Sequence, residues 1–327
     1  MKKKDETLIL APLQGFTDVT FRNIYMKHFS GMDEAMAPFI STMGEHRLKP
    51  SRIKDVAPDQ NQSLFVVPQI LGNVAEDFIF LANHLHDMGH AVVNWNLGCP
   101  HSKIAKKQRG SGLLLYPEKI DDLLSRIIPT MKPALSVKIR LGRRNKDEIH
   151  KLLDIFDRHE LTEIILHPRT GAQMYTGTSD HDAFEKALGA TRHPLVYNGD
   201  IKDMPSYLKV KNRFPTIHRF MIGRGILSNP FLAEEIKGIA PPEDNQRRIN
   251  RLRDFMTDLM EAYSHIFSGP GHLTDRMKGF WSYLGPSFED HKKPLKQILK
   301  STSKEIYMER VDTFFDSNPV FSPETTP

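Results

Sequence analysis

The chain has 327 residues, 39% hydrophobic and 26% charged, with 45 Lys and Arg against 40 Asp and Glu, a net charge of +5 and one cysteine. Its length suits a large domain with an accessory one, and no apolar run approaches the roughly 20 residues of a membrane span. A single cysteine excludes an internal disulfide and a cysteine-built zinc or iron–sulfur site, so a cytoplasmic protein is expected.

The opening "MKKKDETLILAPL" is basic then apolar, but Pro12 and Gln14 interrupt it and no small-residue cleavage site follows, so it reads as a first strand rather than a signal peptide. In chain order, eight runs read as strands: "LILAPL" (8–13), "AMAPF" (35–39), "LFVVPQIL" (64–71), "VVNWNLG" (92–98), "LSVKIRLG" (135–142), "EIILHPRT" (163–170), "LVYNGDI" (195–201) and "RFMIGRG" (219–225). Each leaves room for a helix. "VAEDFIFLANHLHDMG", for example, carries apolar residues at helical spacing and ends at Gly89. Eight β-α units in even order predict a TIM-type (β/α)8 barrel rather than an open doubly wound sheet. After residue 240, "PPEDNQ" breaks the pattern, and "RRINRLRDFMTDLMEAYSHIF" aligns Ile249, Leu252, Phe255, Met256, Leu259, Met260 and Tyr263 on one helical face, with Arg247 and Arg251 on the other. Further helical patterns follow. The expected division is a catalytic barrel over 1–240, a small all-helical domain over 241–316 and a flexible tail over 317–327.

In such a barrel the site lies where strands end. The exits carry Gln69, Asn96 and Cys99, Lys138 and Arg140, His167 and Arg169, then Asn198, Gly199 and Asp200, and finally Gly223, Arg224 and Gly225. The last two groups occupy the positions where barrels bind a phosphate through backbone N–H groups, with glycine permitting close approach. Lys138 among apolar neighbours is either a Schiff-base former or a cation facing an electron-rich group. With His167 and a phosphate site, it suits flavin mononucleotide, the cation and imidazole meeting the pyrimidine edge and Gln69 the ring's amide edge. Cys99 sits at the exit of an apolar run between Gly98 and Pro100. The following "HSKIAKKQRGSG" reads as a mobile cationic loop that leaves the thiol at the rim, where it would serve as a general acid.

Basic residues cluster at Lys106, Lys107 and Arg109; at Arg143, Arg144 and Lys146; at Lys209, Lys211 and Arg213; at Arg247, Arg248, Arg251 and Arg253; and at Lys292, Lys293 and Lys296. Together they point to a nucleic-acid partner. No metal-binding spacing is present; His84 and His86, two apart on a helix, face different directions.

"LAPLQGFTD", "PQILG", "NWNLGCP…K…GSGLLL", "VKIRLG", "HPRT…Y.G", "NGDI" and "MIGRGILSNP" together resemble the dihydrouridine synthases over roughly residues 7 to 237, and "RMKGFWSYLG" is similar to that family's tail. The resemblance implies FMN-dependent reduction of uridine to 5,6-dihydrouridine in tRNA with NADPH as reductant. It implies that Cys99 gives a proton to C5 while the flavin gives hydride to C6. It also implies that Pro12, Gln69, Lys138, His167, Asn198, Gly199, Asp200, Gly223 and Arg224 hold the cofactor. Asn96 is then expected at the uracil or the flavin face, and Lys103, Lys107, Arg109, Arg276 and Lys278 at the RNA. The uridine must leave its stack, at a cost of a few kcal/mol. No membrane or protein partner is implied, and a monomer is expected.

Three positions depart from the pattern: "APLQG" lacks the usual methionine after proline, "APF" stands where a threonine–glutamate pair is common, and proline follows His167 where glycine is usual. The second bears on which uridine is served. Competing readings are a small-molecule flavin barrel of the dihydroorotate dehydrogenase type, a Cys99–His101 or Cys99–His167 acyl-transfer enzyme, and an RNA-binding scaffold without catalysis. The first would turn over free substrate without RNA, and the second would be colourless.

Overall fold

The computed structural model describes residues 6–323 apart from Glu45, Arg47, Pro242 and Ser268. Its strands are β1 (Thr7–Leu10), β2 (Glu34–Met36), β3 (Ile40–Ser41), β4 (Phe65–Val67), β5 (Gln69–Leu71), β6 (Val92–Leu97), β7 (Ala134–Gly142), β8 (Ile164–Thr170), β9 (Leu195–Tyr197) and β10 (Arg219–Ile222). They form one sheet in the order β3-β5-β6-β7-β8-β9-β10-β1-β2-β4, and the pairings are parallel.

Two prolines explain why ten strands make an eight-stranded barrel. Pro38 separates β2 from β3, and Pro68 separates β4 from β5. β2 pairs with β4 and β3 with β5, so each couple is one barrel strand interrupted by a residue with no N–H to give to the ladder. Counted this way, the strands run around the barrel in chain order, as a TIM-type fold requires. Ile9, Ala11, Met36, Val67, Ile165, Val196 and Met221 from alternating positions fill its interior. Outward residues pack on the helices: Trp95 meets Phe78 of the helix Ala75–Asp87 at 5.6 Å and donates to Gly72 O at 3.0 Å.

The chain divides into two compact units. Of the described residues, the first holds those within 1–14, 33–200 and 214–221, the second those within 15–32, 201–213 and 222–327. The helix Val19–His28 thus groups with the C-terminal helices, a partition different from a cut at residue 240. Aromatic contacts give the reason. Phe21 stacks on Phe280 at 5.5 Å and meets Phe255 edge-on at 6.1 Å. Arg251, on the helix Asn245–Ser264, donates to His28 O at 2.6 Å and pairs with Glu234 and Glu243.

The last helix, Lys304–Asp316, is not the end of the second unit. Where a flexible tail over 317–327 was expected, the described part returns along the unit. Phe321 bridges to Phe288, Ser322 N donates to Ser287 O at 2.8 Å, and the Phe321 ring lies 5.2 Å from Phe288 and 5.6 Å from Phe231. Residues 324–327 of the expected tail lie outside the described residues. Among the described residues no helix is long and apolar enough to cross a membrane.

Candidate active site

Alternation along β6, β7 and β8 brings the polar residues to one face. On β6, Val93, Trp95 and Leu97 face out while Asn94 and Asn96 face in. On β7, Ser136, Lys138 and Arg140 share a face. The register sets Gln69 beside Asn94, Asn94 beside Ser136, Asn96 beside Lys138 and Arg140 beside His167. The amides form a buried chain. Gln69 Nε2 donates to Asn94 Oδ1 at 2.8 Å, Asn94 Nδ2 to Ser136 Oγ at 2.8 Å, and Asn96 Nδ2 to Gln69 Oε1 at 2.7 Å. Burial without such partners would cost each amide several kcal/mol.

Lys138 Nζ donates to Asn198 Oδ1 at 2.7 Å, and Asn198 Nδ2 donates to Met221 O at 2.8 Å. Burial, with Arg140 as a like charge, pulls the Lys138 ammonium down to about 7. His167 is buried, and Arg169 Nη1 lies 2.9 Å from its Nε2. A guanidinium can only donate, so Nε2 accepts and Nδ1 carries the ring's proton. Arg169, itself 2% exposed, also donates to Asp200 Oδ2 at 2.6 Å and to Gly177 O at 2.6 Å. Asp200 follows Gly199 in a left-handed conformation, φ 45°. Burial alone would raise its carboxyl, but the Ser179 N–H and Arg169 outweigh it and hold the group below its ordinary value. At Gly199 a Cβ would meet Ser179 Oγ at 2.4 Å, so a side chain there would have to displace Ser179.

The cysteine is half-buried. Asn96 Oδ1 accepts from Gly98 N at 3.1 Å and Cys99 N at 2.8 Å, fixing the turn as β6 ends. Burial pushes the Cys99 thiol up, against the opposing pull of the His101 backbone and of Arg140, Lys138 and Arg143. An activated nucleophile would show the opposite shift. With His167 Nε2 engaged by Arg169, that imidazole has no lone pair to take a proton from the thiol.

The segment after Cys99, expected as a mobile loop, is instead a short helix Ser102–Ala105 and a 3-10 turn Gly110–Leu115. Lys103 and Lys107 are exposed on it, as is Lys106. Arg109 is turned inward, donating to Asn73 Oδ1 at 3.0 Å. Pro12 lies half-buried two residues beyond β1. In the second unit, Gly223 and Arg224 begin the short helix Arg224–Ser228, where Gly225 packs so closely that a Cβ would stand 2.1 Å from Ile201 O. Arg276 lies 3.8 Å from Asp18 and stacks on Tyr263 and Phe267, each at 5.1 Å; Lys278 lies 3.4 Å from Asp275.

Several members of the other basic clusters are committed internally. Arg248 pairs with Glu235, Arg251 with Glu234, and Arg253 with Asp312 and Asp316; Lys146 pairs with Asp180. Sequence reasoning did not single out Asn94, Ser136 or Ser111 for a role, and it read Arg143 only as part of a basic cluster. The period-two spacing of Asn94 and Asn96 was the available signal for the first.

The Dihydrouridine synthase (Dus) family matches residues 9–313. Among curated relatives, tRNA-dihydrouridine synthase B of Vibrio vulnificus is 30% identical over 286 residues, covering 85% of this chain and 82% of that protein. A probable tRNA-dihydrouridine synthase of Staphylococcus epidermidis is 31% identical over 265 residues, 78% of each. In fold the chain is similar to the old yellow enzyme of Trypanosoma cruzi, with TM-score 0.52 at 10% identity over 74% of this chain and 90% of that one. It is likewise similar to histamine dehydrogenase of Rhizobium sp. 4-9, with TM-score 0.55 at 10% identity over 79% and 49%. At such identity the likeness shows the barrel alone. The family match runs from β1 into the last helix, taking in every strand that builds the rim and the helices beyond it: the chain belongs to the dihydrouridine synthase family.

Proposed function

We propose that this protein is a cytoplasmic, monomeric enzyme that reduces uridine to 5,6-dihydrouridine in tRNA, with FMN as cofactor and NADPH as reductant. One observation carries the reading: a lysine amine, an imidazole and a carboxamide share an inward barrel face beside a half-buried thiol whose pKa burial raises. That donor set fits a flavin's electron-rich pyrimidine edge, with Lys138, His167 and Gln69 around the ring. Asn198, Gly199 and Asp200 are assigned to its ribityl and phosphate end, as are Pro12, Gly223 and Arg224 by sequence resemblance.

Reduced FMN, when bound, supplies the hydride taken up at C6 of the uracil. Cys99 supplies the proton at C5. Its raised pKa keeps the proton on sulfur until transfer, as a general acid requires. The thiolate left behind is favoured by Lys138, Arg140 and Arg143, which all act to lower its pKa. Asn96 both orients the cysteine turn and lines the uracil side. Lys103 and Lys107 meet the RNA backbone, and Arg109 holds the turn that presents them. The helical segment 241–316, through Arg276 and Lys278, holds the tRNA. An acyl-transfer role for Cys99 is disfavoured by its raised pKa and by the engagement of His167 with Arg169.

The test is an anaerobic spectrum of the purified protein. A flavin absorption bleached by NADPH and restored by an unmodified tRNA transcript is the expected result. In Cys99→Ala the flavin content should persist while dihydrouridine formation is lost. A colourless protein after reconstitution with FMN, or a flavin restored only by small oxidants, would overturn the reading.

A further inference from the structure

The backbone around Cys99 is held at every polar group it has. Gly98 N and Cys99 N donate to Asn96 Oδ1. Gly98 O accepts from Arg140 Nε at 2.9 Å, and Pro100 O accepts from Arg143 Nη1 at 3.0 Å. Cys99 O accepts twice from one residue, Ser111, from its N–H at 3.0 Å and its Oγ at 2.9 Å. Pro100 has no N–H, so every polar backbone group from residue 98 to 100 has a protein partner. Arg143 Nη1 also donates to Ser111 Oγ at 3.1 Å, tying the clamps together.

The glycines here serve contact. Gly110 is left-handed, φ 56°, and a Cβ on it would stand 2.8 Å from Cys99 O and 2.9 Å from Cys99 Cβ. Gly171 lies so close that a Cβ would be 2.6 Å from Ser111 Oγ. Ser111 is fully buried. With the backbone fixed, the thiol keeps a single torsion. Proton transfer to carbon requires the acid within hydrogen-bond reach, and a 1 Å displacement costs on the order of a hundredfold in rate.

We propose that Gly110, Ser111 and Arg143 are positioning residues that fix the Cys99 thiol on its proton path, the turn at 109–112 acting as a rigid rest and not as a lid. The inference rests on the reading of Cys99 as proton donor.

The test uses the full chain loaded with FMN and the variants Gly110→Ala and Ser111→Ala. Three quantities are followed: FMN content, kcat and KM for tRNA, and the pH profile of Cys99 alkylation by iodoacetamide. The expected result is unchanged FMN content and KM, with kcat lowered on the order of a hundredfold in Gly110→Ala and by less in Ser111→Ala. The alkylation midpoint should fall toward that of an ordinary thiol as the sulfur is pushed from its buried seat. A Gly110→Ala protein with wild-type kcat and alkylation profile overturns the proposal. So does a loss of kcat that merely follows loss of FMN. If the wild type forms no dihydrouridine yet Gly110→Ala shifts the alkylation profile, the fixing of the thiol stands and the assigned reaction falls.

Discussion

Lys138 shows how a single residue's surroundings set its chemistry. A lysine in a wet site stays charged far above neutrality, but this one sits between a barrel interior and the Arg140 guanidinium, with the neutral Asn198 amide its one hydrogen-bond partner among the described residues. Its folded pKa of about 7 lies below the ordinary 10.5. Between those values the unfolded chain binds a proton that the fold does not, so the stability of the cofactor-free protein rises with pH across that window. Compared with Lys138→Met, the wild type should therefore gain stability as pH is raised from about 7 toward 10, read by urea unfolding of both proteins. A constant difference would mean that the lysine keeps its proton throughout. An anionic ring edge beside Nζ would restore the charge, which couples ligand binding at this point to proton uptake.

At the scale of elements, the barrel's opposite end is closed by ions. Arg219, opening β10, donates from Nη1 and Nη2 to Glu34 at 3.0 and 2.9 Å and from Nε to Glu163 at 2.8 Å. The guanidinium thereby ties the starts of β2, β8 and β10. Burial, only partly offset by Arg219, holds the Glu163 carboxyl above its ordinary value. Arg219→Met would leave two facing carboxylates and should cost roughly 2–4 kcal/mol at neutral pH, toward the low end because the groups are only partly buried. Because burial already raises the Glu163 carboxyl and removing the cation takes away what lowers it, the loss measured by urea unfolding should be smaller at pH 5 than at pH 7; an equal loss would show that it does not take up the proton. All eight barrel strands were legible in the sequence, because strands buried on both faces read as apolar runs. Pro38 and Pro68 were visible inside two of those runs, but that each splits its strand in two depends on ladder partners the sequence does not name. The turn after Cys99 was misread for a related reason. Gly110 and Gly112 look like freedom in a sequence, and only the neighbouring Cys99 and Ala105 reveal that they are needed for close approach. Asn96 and Lys138 were legible at strand exits. Asn94 and Ser136, one layer deeper, were hidden in apolar context.

For the whole molecule, the distribution of unmatched charge matters more than the net +5. The arginines at 248, 251 and 253 looked as available to a polyanion as any others, yet their acidic partners arrive from distant segments such as Asp312 and Asp316. Lys103, Lys106 and Lys107 are exposed and make no ion pair among the described residues. Replacing these three with alanine should flatten the slope of log affinity for tRNA against log salt by about 2–3, whereas Arg253→Ala should leave it unchanged; filter binding across salt concentrations separates the cases. The strap formed by residues 317–323 has a practical bearing on how the protein is handled. A boundary drawn after Asp316, where the helices end, would uncover the Phe231 and Phe288 rings on which Phe321 rests. Fresh aromatic surface of that kind promotes self-association. Trimming for crystallisation or fusion therefore belongs beyond Pro323, with the strap left as the lagging on the helical unit's apolar seam.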